Sequence, residues 1–263
     1  MRYLTTLLIL SFVVLSSGCD PNGYSCNSEG CYAENNAQYL TLEDCLSVCD
    51  ELNPKPGNCG APVSHEGYDY STVQIGEQCW FSENCRYLPE VSSPTSYSST
   101  TAYYYVYEYI FTDVEEAKAT ANYETYGVLY NWPAVMTSGI CPSGWHIPSD
   151  GEWQTMEMSL GMSEWSASET NWRGTDEGYQ MKSTSGWGWY NEGNGSNSSG
   201  FSALPGGRRQ DQNFSLKKTS GYWWSASESG SDSRFRKLSD VNGDVYRGSS
   251  SRLRGYSARC VRD

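Results

Sequence analysis

The sequence predicts an exported, strand-rich domain with a few short helices, preceded by a small cysteine-rich unit. Three observations predict it. An apolar leader stands ahead of a chain holding ten cysteines, as in proteins that fold in an oxidising compartment. Tyr and Trp number 21 and 10 while charged residues make up only 19%, a mixture that suits half-buried pleated surfaces. Short runs alternate apolar and polar residues with period two, and two helix-start signatures interrupt them.

Residues 2–18 read as a secretory signal: Arg2, an apolar run Leu7–Leu15, then small residues ending at Gly18. The run falls short of the roughly 20 residues a membrane span needs. Leu15-Ser-Ser-Gly-Cys19 looks like a bacterial lipobox, which would leave Cys19 acylated and hold the mature protein on a membrane through lipid. The leucine stands one position further out than usual, so ordinary cleavage after Gly18 and secretion is the alternative. The expected location is the cell surface or outer membrane in the first case and the medium in the second. Losing residues 1–18 removes Arg2 and no acid, leaving 17 basic against 31 acidic side chains, a net charge of −14. That balance excludes nonspecific nucleic-acid binding. With Cys19 lipidated, nine cysteines remain and at least one is unpaired or pairs between chains.

Cys26, Cys31, Cys45 and Cys49 fall within 24 residues. Thr41 can cap a short helix Leu42–Cys49, which would place Cys45 and Cys49 at i, i+4 on one face, ready to staple it to the preceding segment. So small a unit cannot bury a core and needs such staples. Export and the lack of a nearby His favour disulfides over zinc, with the pairing unassigned. Asn53-Pro-Lys-Pro-Gly57 follows as a linker. The chain thus reads as signal 1–18, mini-module and linker 19–57, and main domain 58–263.

In the main domain, Tyr70–Ile75 and Gln78–Phe81 read as strands. Tyr103–Phe111 reads as another, with Tyr103, Tyr105, Tyr107, Tyr109 and Phe111 on one face. Asp113-Val-Glu-Glu116 has the spacing of a capped helix ending near Asn122. Ser149-Asp-Gly-Glu152 repeats that signal more strongly, ahead of a helix with Trp153, Met156 and Leu160 on one stripe. Residues 183–200 are Gly, Ser, Asn and Trp and read as a long loop. A meander follows: Gly221–Ser227, Arg234–Ser239, Val245–Arg247 and Tyr256–Arg262, with a hairpin turn at Asn242-Gly243.

Five segments carry a resemblance: Ile75-Gly-Glu-Gln-Cys-Trp-Phe-Ser-Glu-Asn84, Tyr126-Gly-Val-Leu-Tyr-Asn-Trp-Pro-Ala-Val135, Ile140–Trp153, Gly200-Phe-Ser-Ala-Leu-Pro-Gly-Gly207 and Gly255-Tyr-Ser-Ala-Arg-Cys-Val-Arg-Asp263. Over roughly Gly67–Asp263 the chain resembles the Fibrobacter succinogenes major paralogous domain family, a surface-protein family. Ile147-Pro-Ser-Asp-Gly-Glu-Trp153 and the terminal segment are similar to counterparts in sulfatase-modifying and C-type-lectin-like folds. That likeness implies an α+β domain: few helices around a small twisted sheet, long loops and adjacent termini. It also implies a Cys141–Cys260 bond closing the domain, since the last strand would return beside an earlier one. Where relatives carry an apolar residue after Glu-Asn, this chain has Cys85. Cys59, Cys79 and Cys85 then compete for one bond, with Cys59–Cys79 the preferred pairing.

No constellation for catalysis stands out. His65 and His146 are the two histidines, and no His-Glu-x-x-His, nucleophile elbow or phosphate-binding glycine loop is present. His146, between Trp145 and Ile147, reads as a packed strand residue. Formylglycine-generating enzymes, which share the implied fold, place paired cysteines near the C-terminus, whereas Cys260 stands alone there. Asp150 and Glu152 read as first-turn carboxylates at the positive end of a helix. Asp240-Val-Asn-Gly-Asp244 invites a calcium reading, but Val245 and Ser251 stand where an EF-hand loop needs Gly and Glu. A polar hairpin is expected there, and no catalytic residue, metal ligand or cofactor is assigned. Calcium held by carboxylates from distant loops stays open.

Binding signals are clearer. Residues 208–263 hold 12 basic and 6 acidic side chains in an otherwise acidic chain. Arg208, Arg209, Arg234, Arg236, Arg247 and Arg252 either neutralise acidic loops across the fold or form a face for acidic polysaccharide. Trp187, Trp189 and Tyr190 lie in the glycine-rich loop as candidate sugar-stacking platforms. Trp223-Trp224 opens the meander with its rings on opposite faces, one expected in the core and Trp224 a candidate for the ligand. Trp80, Trp132, Trp145 and Trp153 are assigned to the core. The expectation is a noncatalytic surface module that binds polysaccharide or glycoconjugate. A structural or protein-binding module is the alternative, and an enzyme on the sulfatase-modifying fold a third.

Overall fold

The computed structural model describes residues 24–27, 30–33 and 59–263, apart from residue 191. Two units divide the chain, Met1–Gly57 and Asn58–Asp263. In the first, β1 (Tyr24–Asn27) and β2 (Gly30–Ala33) form an antiparallel hairpin that sets Cys26 opposite Cys31. Cys19, Cys45, Cys49 and the expected helix Leu42–Cys49 lie outside the described residues.

The second unit is mixed α+β, with six short helices among the described residues. It begins with two antiparallel hairpins built from β3 (Val63–His65), β4 (Tyr68–Tyr70), β5 (Thr72–Ile75) and β6 (Gln78–Phe81). β3 pairs with β4 and β5 with β6. The tyrosine run then departs from expectation. Only β7 (Tyr104–Tyr105) is strand; Tyr109 N donates to Val106 O across a turn, and Glu108 takes φ +62. Tyr104, Tyr105, Tyr107 and Tyr109 are all buried, Tyr105 and Tyr107 in one cluster and Tyr104 and Tyr109 in another, and Phe111 is exposed.

α1 (Val114–Lys118) is capped by Asp113, but the helix stops there and α2 (Ala121–Tyr126) restarts from a second cap, Thr120. After β8 (Leu129–Tyr130), Asn131 caps α3 (Trp132–Val135), and β9 (Trp145–His146) leads into α4 (Asp150–Ser159). The expected capping box is present: Ser149 accepts from Glu152 N, and the Glu152 side chain accepts from Ser149 N. α5 (Glu164–Ser168), β10 (Asn171–Arg173) and α6 (Glu177–Met181) complete the helical part.

The remaining strands are β11 (Gly206–Gln210), β12 (Asn213–Lys217), β13 (Ser220–Ser229), β14 (Asp232–Ser239), β15 (Val245–Ser251) and β16 (Val261–Arg262). One sheet runs β10-β15-β14-β13-β11-β12, and a second runs β5-β6-β16-β9. The predicted meander is therefore three strands. Its fourth member leaves for the other sheet, where Val261 pairs with both Trp80 and His146.

The large sheet is covered on both faces, and this decides the fate of Trp223 and Trp224. Adjacent strand residues point to opposite sides. Trp224 packs with Tyr222, Phe235 and Tyr256 on one side, and Trp223 with Trp80, Trp153 and Phe201 on the other. Both rings are fully buried, so each is core. Trp80, Trp132 and Trp153 are buried as expected, and Trp145 is half-buried.

α4 lies on the Trp223 face. Asp150, Trp153 and Glu157 recur at helical spacing and present one stripe to the sheet. Beneath them stand three arginines. Arg236 Nε reaches Glu157 Oε1 at 2.6 Å and its Nη1 reaches Asp150 Oδ1 at 2.7 Å. Arg247 Nη2 reaches Asp150 Oδ2 at 2.6 Å, and Arg173 pairs with the other oxygen of Glu157. Burial opposes ionisation of Asp150, but the two guanidiniums outweigh it and hold the carboxyl far below the usual carboxylate range. Asp150 is thus more than a first-turn carboxylate, while Glu152 keeps the capping role.

At the C-terminal edge His146 bridges two carboxylates. Its Nδ1 meets the Asp263 side chain, and its Nε2 meets Glu152 Oε1 at 2.7 Å. Burial disfavours the imidazolium, yet the bonds to Asp263 and Glu152 win and raise its pKa above 6.5. A raised pKa contributes stability that is complete below about pH 6.5 and lost as pH rises through the folded value. Because the pair is well exposed, the effect should stay below about 1 kcal/mol. Melting temperature should therefore fall slightly between pH 6 and pH 8.5 in the native protein and stay level in His146→Gln. Parallel curves for the two proteins would remove His146 from the account.

Candidate ligand-binding surface

The glycine-rich segment builds a loop in which one tryptophan is anchor and the next two aromatics are display. Trp187 is fully buried, contrary to its expected place on the surface. Its Nε1 donates to Ala203 O at 2.9 Å, and the Lys182 ammonium lies 5.4 Å from its ring centre. Its backbone N donates to Asn194 Oδ1 at 3.0 Å, closing the loop on itself. Gly188 takes φ +75 and donates to Lys218 O at 2.7 Å. A left-handed turn here points the chain outward, and glycine adopts it without steric cost. Gly195 approaches the core so closely that a Cβ would lie 2.2 Å from Tyr179 O.

The result is a tip carrying Trp189 and Tyr190, which are 68% and 91% exposed. Lys218 Nζ stands 4.9 Å from the Trp189 ring centre, within cation–π range. Tyr190 N donates to Glu192 Oε2 at 2.7 Å, and backbone amides of this turn lower the Glu192 pKa. The tip is therefore built from inside by Trp187 and from below by backbone bonds, leaving two rings free.

The arginines divide differently from the expected basic face. Arg236 and Arg247 are spent on Asp150 and Glu157, as mutual neutralisation requires. Arg252 Nη2 pairs with Glu228 at 3.1 Å and its guanidinium lies over Trp132. Arg209 is also buried, donating to the carbonyls of Pro94, Ser96 and Leu253. Arg208 lies half-buried with its guanidinium 5.3 Å from the Tyr222 ring centre, and Arg234 is half-buried on β14. Of the sequence-predicted ligand residues, then, Trp187, Trp224 and Arg236 are fully interior, and Arg209 is buried except where it helps line a cleft.

A cleft that sequence reasoning missed opens beside Arg209. Tyr97, Asp211, Gln212, Ser251, Leu253 and Arg254 line it, with a volume of about 330 Å³. Asp211 and Gln212 both take positive φ (+50 and +67) in the two-residue turn between β11 and β12. Arg254 makes no ion pair among the described residues. The missed signal was the Gln-Asp-Gln-Asn turn, which lacks the glycine that usually marks such hairpins.

The Asp240–Asp244 hairpin is filled by a residue of the protein. Lys182 Nζ donates to Ser239 O and Asn242 O at 2.9 Å each, facing Asp240 and Asp244. Where a loop cation would gather carbonyls, the chain supplies its own ammonium.

Among the described residues the disulfides are Cys59–Cys79, 20 residues apart, and Cys141–Cys260, 119 residues apart. Cys85 is a free, buried thiol. Fully buried Arg259 explains why several motif segments converge. It donates to Asn84 Oδ1 at 3.2 Å, Phe81 O at 3.3 Å, Ser202 O at 3.1 Å and Phe201 O, and caps the Phe201 ring at 3.9 Å. Burial lowers its pKa to about 9, outweighing the opposing pull of Cys85 and Glu83.

No curated protein and no solved structure matches this chain closely enough to lend it a ligand. The model of the Fibrobacter succinogenes major domain does match, over residues 73–262. Those bounds take in β6 through β16, all but the first residue of β5 and every contact of Arg259, and on that match the chain belongs to the Fibrobacter succinogenes major domain family.

Proposed function

We propose that the protein is a noncatalytic binding module, exported and held at the cell surface through lipid on Cys19, whose ligand is a polysaccharide or glycoconjugate. The observation that carries this reading is the loop tip with Trp189 and Tyr190 exposed above a buried Trp187. Flat exposed rings can stack on sugar C–H faces, and their few rotatable bonds keep the entropic cost low. The cleft beside Tyr97 adds hydroxyl and carboxylate acceptors from Ser251 and Asp211, and Arg254 offers a planar fork to an acidic substituent. The placement of β16 between β6 and β9 supports a lectin-like topology, in which an early hairpin of the domain and its last strand share one sheet.

The test is retention of the full mature chain on a panel of insoluble polysaccharides and glycans. Trp189→Ala/Tyr190→Ala should weaken binding about tenfold or more, from about 0.5–1.5 kcal/mol per aromatic contact, with an unchanged melting temperature. Trp187→Ala should instead destabilise the domain by about 3–5 kcal/mol, as a large core truncation does. Equal affinity of the double variant and the native chain would reject the tip as the site. A second reading, a protein-binding module, rests on Ile110 and Phe111, which stand side by side at 60% and 63% exposure. Folded protein that no glycan retains would favour it.

A further inference from the structure

Cys85 occupies the position that follows Glu83-Asn84, where the chain leaves β6. Its backbone N donates to Ala258 O at 2.9 Å and its carbonyl accepts from Val128 N at 3.2 Å, so it is stitched to the C-terminal segment. The consequence is a close approach of sulfurs. Cys85 Sγ lies 3.5 Å from Cys260 Sγ, which is already bonded to Cys141. All three sulfurs fall within 4.8 Å of one another. The free thiol therefore stands beside the disulfide and off the line of its bond. Attack proceeds along that line, so the Cys85 side chain must rotate before it can react.

The two ends of the disulfide are not equivalent. Cys260 is fully buried. Cys141 is half-buried on the wall of a cleft of about 370 Å³, with Met136, Ser138, Trp145 and His146 as neighbours. Exchange at Cys260 would move the odd thiol from the interior to this wall.

We propose that Cys85 displaces Cys141 from Cys260, and that Cys141 is then the residue through which the domain forms mixed disulfides with small disulfide compounds. The Cys85 thiolate attacks Cys260 Sγ; the Cys85–Cys260 bond forms, the Cys141–Cys260 bond breaks, and Cys141 leaves as thiolate. The proton shed by Cys85 balances the one Cys141 can take up, and nothing is oxidised or reduced. In the second step the Cys141 thiolate attacks a small disulfide, forming a Cys141 mixed disulfide and releasing one equivalent of small thiol.

Burial pushes the Cys85 thiol up to about 12, so its thiolate is scarce near neutrality. The first step should accelerate up to about tenfold per pH unit between pH 7 and 9. The experiment incubates the full mature chain with oxidised glutathione and maps its disulfides in nonreduced digests. The expected result is a Cys85–Cys260 link together with glutathione on Cys141, both rising with pH, and neither in Cys85→Ser. Glutathione on Cys85, an unchanged Cys141–Cys260 bond, or a Cys85–Cys260 link with unmodified Cys141 would each overturn the proposal. Cys141→Ser gives an independent check. It should close as Cys85–Cys260 under mild oxidation, and two persistent free thiols in that folded variant would also overturn it.

Discussion

Glu157→Ala should lower the stability of the main domain by about 3–5 kcal/mol, the usual consequence of removing one partner from a buried ion pair. Glu157 is completely buried and holds one oxygen toward Arg236 and the other toward Arg173. Arg173 and Arg236 are buried as well, so the variant leaves two interior guanidiniums with one carboxylate, Asp150, between three arginines. Neither guanidinium can shed its proton cheaply, although desolvation already draws Arg173 down to about 10. For a domain of this size the expected fall in melting temperature is about 6–20 °C. Replacing Glu157, Arg173 and Arg236 together by apolar residues should cost much less, because no unpaired charge remains. A Glu157→Ala protein that melts within 2 °C or so of the native one would show that water reaches this cluster.

Cys260→Ser is expected to cost about 4–5 kcal/mol under the chain-entropy account, because the bond it removes closes a loop of 119 residues. Cys59→Ser breaks a loop of 20 residues and should cost nearer 3 kcal/mol. Thermal unfolding of the two variants checks the order, each with its partner cysteine also replaced so that no stray thiol reacts. A larger loss from the short loop would mean that local packing outweighs the restriction of the unfolded chain.

Much of this fold was legible because several signals act within a turn or two of chain. The Ser149–Glu152 capping box needs only its own four residues, and the structure places both reciprocal bonds there. Strand β6 falls where it is expected, whereas the expected strand Tyr70–Ile75 is divided, Tyr70 ending β4 and Thr72–Ile75 forming β5. The tyrosine run misled for a physical reason. Period-two spacing from Tyr103 to Tyr109 is compatible with a strand, but Glu108 in the left-handed region breaks the run, so Tyr103, Tyr105 and Tyr107 stay together while Tyr109 joins another cluster. Trp187 misled in the opposite direction, since a loop that lacks regular structure can still sink one anchor into the core.

The site was less legible than the fold. Arg236 and Arg247 look like surface charge until the register of β14 and β15 sets them side by side beneath Asp150. That register is a long-range fact, carried by no local motif. Trp189 and Tyr190 could be named from composition alone, but their exposure depends on Trp187 having taken the buried place. The cleft at Tyr97 joins residues more than 100 positions apart.

The position of β16 also bears on how such a chain comes to be folded in the first place. β6 and β9 are held in one sheet through β16, whose residues emerge about 115 positions after β9. A chain emerging N-terminus first during synthesis would have its early strands exposed, with their shared neighbour still to come. Domains generally mature as units during such vectorial delivery, and nonlocal pairing is slow to form. Until Val261 arrives, Trp80 and His146 flank an open slot, and any factor that holds unfinished sheets would find its target in that interval.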